Sequence, residues 1–260
     1  MRCPICMRKG KKIFSSIVLD KYCVDYFQCP ECAAVYTEKP YWMDEAYKNA
    51  IVPEDTGVMQ RSIVNGVITN RLIRRFIGPG TYLDYGGGYG IFARLMRDIG
   101  YDFYWYDKYA ENLLARGFEF TRQKVRLVTA FEVMEHVEHP CSELEKMLRC
   151  ADNILFSTVC YDKGRSYQNE EWWYYGQKNG QHIMFYSELT LKYLARKYHL
   201  NYYNLGLLHF YTKKKIPRFL IYILFRGIWC MPFMSMEWLW MMWKEKGSVG
   251  KDRAKLMGKG

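Results

Sequence analysis

The sequence predicts an α/β fold built on a mostly parallel sheet, with a small cysteine-rich module before it and an apolar, basic tail after it. Three observations lead to this prediction. Residues 79–215 alternate short apolar segments of strand type with segments of helical spacing, an order that favours a parallel sheet with right-handed crossovers. Residues 1–40 carry two Cys-Pro-x-Cys pairs, and residues 216–260 are rich in tryptophan and lysine.

Length, composition and charge limit the classes of protein to consider. The chain of 260 residues is long enough for one full α/β domain with additions. Its opening residues lack the pattern of an export signal, so we expect a cytoplasmic protein whose nine cysteines are not paired in disulfides. The net charge of +11 lies mainly in residues 211–260, which hold 11 Lys and Arg against 3 Asp and Glu. Because the rest of the chain lacks a strong basic excess, we do not expect nucleic acid as a partner.

The two cysteine pairs predict a zinc site. Cys3 and Cys6 form the first pair, and Cys29 and Cys32 form the second. Two Cys-x-x-Cys turns can close one tetrahedral site of four thiolates, and a closed site of this kind is structural. Residues 1–40 are therefore predicted to form a zinc ribbon whose metal takes no part in catalysis.

Residues 41–78 are predicted to form a helical lid or linker. Apolar residues recur at helical spacing between Val58 and Phe76. Asp55-Thr56 is expected to start this helix, and Gly78-Pro79-Gly80 is expected to end it. A plain packing helix is the alternative interpretation, and the two do not exclude each other.

Six strands are expected between residues 79 and 215. In chain order they are Tyr82–Tyr85, Phe103–Tyr106, Val125–Phe131, Ile154–Val159, Tyr202–Leu205 and His209–Thr212. The last two are joined by a short Gly-Leu-Leu turn, which favours an antiparallel pair. A further strand is poorly marked and is limited to residues 118–120.

A glycine-rich turn follows the first of these strands. Gly86, Gly88 and Gly90 come after Asp84, and a helical pattern begins directly afterwards. Glycines allow a backbone to approach a ligand closely, and the start of a helix offers unpaired N–H groups. The spacing differs from a dinucleotide fingerprint, because Ile91 stands where the third glycine would be.

A second carboxylate, Asp107, ends the next strand. An acidic group at that position can accept hydrogen bonds from both ribose hydroxyls of a nucleoside. The alternative is that Asp107 only caps the helix that follows. Because Asp84, the glycines and Asp107 agree as a set, we favour the nucleoside role.

The acidic-x-Gly-x-Gly-x-Gly pattern from Asp84 to Gly90 resembles motif I of the class I S-adenosylmethionine-dependent methyltransferases. The resemblance implies S-adenosylmethionine as the cofactor, with the carboxylate at its methionine end. It also implies a Rossmann-like sheet that is mostly parallel and has an antiparallel last strand. The candidate cofactor-binding residues are Asp84, Tyr85, Gly86, Gly88, Gly90, Asp107, Phe131 and Glu132.

A Glu-Val-x-Glu-His run follows the strand that ends at Phe131. Glu132, Glu135 and His136 stand at positions i, i+3 and i+4, which share one face of a helical turn. Carboxylate and imidazole ligands on one face are a candidate site for a divalent cation. The alternative is a turn without an ion, in which His136 is the general base because its unperturbed pKa is about 6.5. The run resembles the same stretch in many small-molecule and glycan methyltransferases, and a similar run can hold a metal in ubiquinone-pathway and small-RNA O-methyltransferases.

An aromatic segment between residues 170 and 187 is predicted to bind the substrate, because it is too long for a simple connection. A helix is expected to begin after it, near Ser187. Its aromatic rings and amides suit a saccharide, and the candidate contacts are Trp172, Trp173, Gln181 and His182. The alternative is that the tryptophans fill the core beneath the segment. The candidate catalytic residues are His136, Glu132, Glu135 and His182.

The Trp-Trp-Tyr-Tyr and Gly-Gln-His-Ile-x-Phe-Tyr-Ser sequences of this segment resemble a bacterial methyltransferase family associated with surface-polysaccharide assembly. With the two earlier motifs, the resemblance covers about residues 80–212 and implies O-methylation of a nucleotide-linked or lipid-linked sugar. The cysteine module is similar to the longer zinc-binding front of deoxysugar C-methyltransferases. The alternatives are a zinc-ribbon RNA methyltransferase and a non-catalytic zinc-ribbon scaffold.

Residues 216–243 form an apolar stretch with four tryptophans. Charged residues and a proline interrupt it, so it does not match a spanning helix of about 20 apolar residues. A polar stripe predicts instead a helix that lies in the inner-membrane interface; its members are Lys215, Arg218, Tyr222 and Arg226. The alternatives are contact with a second subunit and packing on the domain itself.

Overall fold

The computed structural model describes residues 1–47, 56–161, 172–225, 236, 238–240 and 252. The chain divides into two compact units, each built from segments that are remote in sequence. The first contains Met1–Val52, Phe131–Leu148 and Phe156–Lys214, and the second contains Pro53–Ala130, Arg149–Leu155 and Lys215–Gly260. This division differs from the predicted series of domains 1–40, 41–78, 79–215 and 216–260.

Strands and helices alternate over most of the described chain. The strands are β1 (Lys11–Val18), β2 (Tyr22–Gln28), β3 (Val35–Thr37), β4 (Thr81–Tyr85), β5 (Asp102–Tyr106), β6 (Leu127–Ala130), β7 (Asn153–Ser157), β8 (Met184–Phe185), β9 (Asn201–Asn204) and β10 (Leu208–Thr212). The helices are α1 (Met43–Ala46), α2 (Val58–Leu72), α3 (Ile91–Asp98), α4 (Pro140–Cys150), α5 (Glu188–Lys197) and α6 (Arg218–Phe225). A π-helical turn covers Ile73–Ile77, and 3₁₀ turns cover Met134–His136 and Trp173–Tyr175.

The first unit contains a four-stranded sheet in the order β1-β2-β3-β8. The neighbouring strands are all antiparallel. The strand β8, far along the chain, places Phe185 opposite Val35 of β3. The cysteine-rich module is therefore not a separate domain, because its last strand continues into a sheet that needs residues from the second half of the chain.

An aromatic core lies under this sheet. Tyr26, Trp42, Tyr175 and Phe185 are each at most 1% exposed. The rings of Tyr26 and Tyr175 pack edge to face with their centroids 5.1 Å apart, and the Trp42 indole N–H donates to the carbonyl of Gly180 at 2.7 Å. These contacts hold residues 172–187, in which the candidate substrate residues lie, against the β1–β2 hairpin.

A six-stranded sheet has the order β5-β4-β6-β7-β10-β9. The strand β4 pairs in parallel with both β5 and β6, and β10 pairs antiparallel with β9. A mostly parallel sheet with an antiparallel last strand is thus confirmed. Residues 118–120 do not form the strand that was expected, since only an isolated bridge joins Glu119 to Trp105.

The predicted helix boundaries are explained by local hydrogen bonds. The π-helical turn after α2 ends at Gly78, whose φ of +82° takes the chain out of the helix while its N–H donates to Ile73. The helix α5 begins at Ser187, and Ser187 and Thr190 cap each other through their side chains and backbone N–H groups. The start expected at Asp55 lies outside the described residues.

The described part of the tail packs partly within the second unit. Trp238 is 7% exposed and lies against α2, where a Cβ on Gly66 would be 2.5 Å from its ring. Asp252 is buried and forms ion pairs with Arg94 and Arg97 of α3. Among the described residues, no helix combines the length and the hydropathy that crossing a membrane requires. Most of the predicted stretch 216–243 lies outside the described residues.

Candidate functional site

The glycine turn after β4 adopts the conformation that its glycines allow. Gly86, Gly88 and Gly90 have φ values of +70°, +53° and +87°. Side chains other than glycine rarely adopt this left-handed region. Gly90 forms the N-cap of α3, and a Cβ there would lie 2.9 Å from the Asn112 side-chain oxygen. The turn therefore needs glycine at these positions for its shape, and the predicted close approach of a cofactor stays a prediction.

A fourth glycine, Gly87, is required by packing. A Cβ at this position would lie 2.7 Å from Oδ2 of Asp84 and 2.7 Å from the ring of Trp105. At Gly88, by contrast, a Cβ would meet no atom of the described residues within 4 Å. Gly87 is not among the predicted cofactor-binding residues, although it lies within the run of three glycines. The turn thus combines a tightly packed side at Gly87 with an open side at Gly88.

Asp84 lies near the end of β4 and is 2% exposed. Its Oδ1 accepts a hydrogen bond from the Thr129 hydroxyl at 3.1 Å. Its Oδ2 is buried and has no hydrogen-bond partner among the described residues. Burial raises the pKa of Asp84 to about 7. A buried carboxylate oxygen of this kind calls for a donor, and the amino group at the methionine end of S-adenosylmethionine is one.

Asp107 accepts three backbone hydrogen bonds. Its Oδ2 accepts from Gly88 at 2.9 Å, and its Oδ1 accepts from Tyr109 at 2.7 Å and from Ala110 at 2.8 Å. No helix forms between Asp107 and the start of β6 at Leu127. Asp107 therefore caps the turn that follows it, where the alternative interpretation expected a helix. Its carboxylate also fixes the glycine turn through Gly88. Contact with a ribose stays a prediction, and the lone pairs of both oxygens exceed the bonds made here.

The remaining predicted cofactor contacts differ in exposure. Tyr85 is 7% exposed, and its ring lies 5.0 Å from the ring of Tyr106. Phe131, in the first unit, is half-buried. Open backbone at Gly88 and an unpartnered Asp84 oxygen together fit the phosphate-free, cationic cofactor that motif I implies.

Glu132 does not share a helical face with Glu135 and His136. Its φ of +53° lies in the left-handed region, and the 3₁₀ turn begins only at Met134. Glu132 is instead tied to Ser157, which accepts from its N–H at 2.7 Å and donates to its Oε1 at 2.5 Å. The predicted arrangement of the three side chains is therefore corrected: the turn at Glu132 separates its exposed side chain from the other two.

Glu135 is fully buried. Its Oε1 accepts a hydrogen bond from the Tyr174 hydroxyl, and its Oε2 has no partner among the described residues. Burial, followed by the nearby Glu132, raises the pKa of Glu135 well above its ordinary value. Tyr174 was not among the predicted site residues, and its only signal was a place in the Trp-Trp-Tyr-Tyr run.

Two histidines lie beside Glu135. Nδ1 of His136 is 3.1 Å from the carbonyl oxygen of Gln181, and Nδ1 of His182 is 2.6 Å from that of Tyr174. The two rings are nearly perpendicular, with their centroids 4.8 Å apart. Burial and then the neighbouring His182 lower the pKa of His136 to about 3, and burial also lowers the pKa of His182. His136 is therefore a weak proton acceptor in the ligand-free protein, and its role as general base stays a prediction.

The candidate substrate residues separate into buried and exposed. Gln181 is 8% exposed and donates to the carbonyl of Ala46 at 2.8 Å, and its contact with a substrate stays a prediction. Trp172 packs against the rings of Tyr175 and Phe185, at 5.2 and 5.9 Å. Trp173 is 73% exposed. One tryptophan thus fills the core, as the alternative interpretation held, and the other is open to a ligand.

The four predicted zinc ligands lie together. Their sulfur atoms are all within 4.8 Å of one another, and they belong to Cys3, Cys6, Cys29 and Cys32. Each pair ends in the same tight turn, because Met7 and Ala33 have φ values of +64° and +58° and donate to the carbonyls of Cys3 and Cys29. This donor set fits Zn²⁺, which prefers tetrahedral thiolates.

A family profile described as a methyltransferase domain matches residues 61–205, more than half of the chain. The chain therefore belongs to this methyltransferase family. The chain is accordingly an S-adenosylmethionine-dependent methyltransferase, and its mostly parallel six-stranded sheet is consistent with the Rossmann-like fold that was expected.

Several solved structures resemble the chain at low identity. The magnesium protoporphyrin IX methyltransferase from Synechocystis PCC 6803, solved with S-adenosylhomocysteine, is 14% identical over 65% of this chain and 90% of its own, with a TM-score of 0.45. A possible histamine N-methyltransferase from Thermotoga maritima is 14% identical over 62% and 94%, with a TM-score of 0.40. A complex of a methyltransferase activator and a methyltransferase from Haloferax volcanii matches at 18% over 62% and 78%, with a TM-score of 0.44. No curated protein matches the chain significantly.

Proposed function

We propose that the enzyme transfers the methyl group of S-adenosylmethionine to a hydroxyl of a sugar, nucleotide-linked or lipid-linked, during assembly of a surface polysaccharide. The observation that carries this proposal is the exposed indole of Trp173, next in the chain to the buried Tyr174 that contacts His182. An indole face stacks well on the C–H face of a sugar ring. Trp173 opens a 3₁₀ turn whose next two residues, Tyr174 and Tyr175, lie in the aromatic core. An anchored backbone of this kind lowers the entropic cost of binding.

The second unit supplies the residues for the cofactor. Asp84 offers its free oxygen to the amino group of S-adenosylmethionine, and Gly88 gives the cofactor close access to the backbone. Asp107 holds Gly88 and offers further lone pairs to the ribose. When bound, the cofactor supplies an electrophilic methyl group on a sulfonium, so the protein mainly has to position the acceptor and take up its proton.

Glu132 is the candidate proton acceptor in the first unit. Its carboxylate is exposed, while Ser157 holds one oxygen at 2.5 Å. The low pKa of His136 leaves that imidazole less suited to the task. A sugar hydroxyl gives up its proton as the methyl group arrives, so a carboxylate beside it that accepts this proton lowers the barrier without full deprotonation beforehand.

The test is transfer of labelled methyl from S-adenosylmethionine to a panel of nucleotide sugars, lipid-linked oligosaccharides and RNA. We expect label in a sugar hydroxyl, and Trp173→Ala is expected to raise the KM for the sugar about tenfold or more while leaving cofactor affinity unchanged. Leu207→Ala, which removes another exposed apolar side chain of the same unit, is the matched control. Label in RNA alone would replace the proposal by the RNA alternative, and absence of cofactor binding would favour a scaffold.

We also propose that the four cysteines bind one structural Zn²⁺. The two equivalent turns at Met7 and Ala33 support this, because four sulfur atoms lie within 4.8 Å of one another beside them. Without a metal ion, no bond would link the four neighbouring sulfur atoms. Zinc would then stabilise the β1–β2–β3 part of the first sheet and take no part in methyl transfer.

For the tail we propose attachment of this cytoplasmic enzyme to the inner-membrane surface. The support is a set of exposed apolar side chains beside a basic run: Phe219, Leu220, Met236 and Leu239 are exposed, and three lysines precede them in the sequence. The buried Trp238 and Asp252 show that other parts of the tail pack within the second unit. Contact with a second subunit is the alternative for the exposed side chains.

A further inference from the structure

A cluster of metal-ligating side chains lies in the first unit, away from the four cysteines. Glu135, His136 and His182 each bring one donor atom within 4.8 Å of the others. The segments that carry them are joined directly, since the backbone N–H of Ile183 donates to the carbonyl of Glu135 at 2.9 Å. His182 thus takes the place that the sequence assigned to Glu132.

The two imidazoles are held in one tautomer by the backbone. A carbonyl oxygen can only accept a hydrogen bond, so the contacts with Gln181 and Tyr174 require a proton on Nδ1 of both rings. The lone pair of each ring is then on Nε2. Metal-binding histidines usually donate their other ring N–H to a carbonyl or carboxylate in this way, which orients the ring and fixes the tautomer.

The carboxylate of Glu135 contributes a buried oxygen that lacks a hydrogen-bond donor among the described residues. Glu135 is 0% exposed, and Tyr174 occupies only Oε1. Its Oε2 has no hydrogen-bond partner among the described residues. A buried acceptor without a partner is costly, and a cation beside two neutral imidazoles would remove that cost.

We infer that Glu135, His136 and His182 bind one divalent first-row transition-metal ion. Two imidazole nitrogens and one carboxylate oxygen suit Mn²⁺, Fe²⁺, Co²⁺ or Zn²⁺, whereas Mg²⁺ and Ca²⁺ prefer oxygen ligands alone. Three protein ligands leave coordination positions open for water or for an oxygen of the acceptor. Tyr174 is a positioning residue of this site, because it holds both the Glu135 carboxylate and, through its carbonyl, the His182 ring.

The inference is independent of the acceptor, and its test uses the full chain and Mn²⁺ alone. Mn²⁺ is a poor ion for four thiolates, so it reports on the nitrogen and oxygen site in the presence of zinc at the cysteines. Electron paramagnetic resonance of free Mn²⁺ during titration is expected to show one bound ion per chain. Glu135→Gln and His182→Asn are each expected to weaken this binding at least tenfold, and Glu188→Gln, which changes an exposed carboxylate of the same unit, is expected to leave it unchanged.

A second measurement separates loss of the site from loss of the fold. Co²⁺ bound to thiolates gives strong charge-transfer absorption, and Co²⁺ bound to nitrogen and oxygen gives only weak d–d bands. Cofactor affinity and the thiolate bands are expected to persist in the Glu135→Gln variant while the weak bands disappear. The inference is overturned if metal stoichiometry never exceeds that of the cysteine site, or if wild type and Glu135→Gln bind Mn²⁺ equally; Glu135 would then carry a proton instead. Failure of sugar methylation does not affect either readout.

Discussion

Asp107 accepts the backbone N–H of Gly88 through Oδ2 at 2.9 Å, so a carboxylate at the end of β5 holds the glycine turn at the end of β4. The same carboxylate closes its own turn through Tyr109 and Ala110. One side chain therefore sets the shape of the loop and stands where a ribose contact is predicted. The role in the loop requires hydrogen bonds to backbone N–H groups, and the predicted role in binding requires hydrogen bonds to the cofactor, so variants of Asp107 can separate the two.

Asp107→Ala is expected to weaken S-adenosylmethionine binding by about 1–3 kcal/mol, the scale for losing a hydrogen bond to a charged group. Isothermal titration calorimetry measures this, and Asp98→Asn on α3 serves as the control. Asp107→Asn keeps one acceptor oxygen and is expected to be milder. If both Asp107 variants bind S-adenosylmethionine with unchanged affinity, Asp107 does not contact the ribose, and its role is to hold the backbone of Gly88.

Gly87→Ala and Gly88→Ala are expected to differ in kind. A methyl group at Gly87 meets Asp84 and Trp105 at 2.7 Å, and overpacking of this kind costs about 1–3 kcal/mol of stability. A methyl group at Gly88 meets no atom within 4 Å in the part of the chain that the structure describes, so the cost is backbone strain of roughly 1–2 kcal/mol, together with obstruction of the cofactor. Thermal unfolding with and without cofactor checks the pair. Equal loss of cofactor affinity in both variants would show that Gly88 does not border the ligand.

Asp84 is expected to make the ligand-free protein less stable as pH rises. Its folded pKa of about 7 lies above the unfolded value of 3.8, so the folded state holds a proton that the unfolded state releases between those values. The contribution is fully present below about pH 4 and is lost as pH rises to 7, by up to about 4 kcal/mol for a shift of three units. Urea unfolding at several pH values measures it.

The comparison for this prediction is Asp84→Asn, which keeps the shape of the side chain and cannot ionise. The difference in unfolding free energy between wild type and this variant is the relevant quantity, because Glu135 and the two histidines also have shifted pKa values. A difference that is independent of pH between 4 and 8 would contradict a raised pKa at Asp84.

One zinc ion per chain is expected in protein purified without chelator. Cys29→Ser is expected to lower the zinc content and the Tm, because the loss of one ligand weakens a site whose binding energy supports the fold. Cys23→Ser, at an exposed cysteine outside the cluster, is the control and is expected to change neither. Elemental analysis that finds no zinc would reject the metal, and the cysteines would then be a buried thiol cluster.

Replacement of Lys213, Lys214 and Lys215 by Gln is expected to reduce binding to anionic vesicles by more than tenfold. Lysines near a charged bilayer contribute about 1 kcal/mol each, and salt screens the effect. Co-sedimentation with phosphatidylglycerol vesicles measures binding, with the triple replacement of Lys9, Lys11 and Lys12 as a control of equal charge. If the wild type does not sediment with any vesicle, the exposed apolar residues of the tail are better explained by contact with a second copy, which analytical ultracentrifugation detects.

The sequence by itself determined the elements and the local chemistry. Strand positions, the stop at Gly78, the start at Ser187, the glycine turn with Asp84 and the paired cysteines all depend on neighbours within a few positions. Local patterns of hydrophobicity, glycine and capping residues are enough to specify such features. The clustering of the four cysteines was also predictable, because each Cys-Pro-x-Cys pair places two thiols side by side and two such pairs can share one metal ion.

Only the tertiary structure decided which side chains meet across long separations. The contact of Tyr174 with Glu135 joins residues 39 positions apart, and the pairing of Val35 with Phe185 brings the cysteine module into a larger sheet. His182, and not the predicted Glu132, lies in the cluster with Glu135 and His136. The cause is the left-handed backbone of Glu132, which no periodic pattern in the sequence indicates. Burial then set the pKa values of Asp84, Glu135 and His136, because a proton equilibrium responds to the surrounding dielectric and charges, and these exist only in the folded chain.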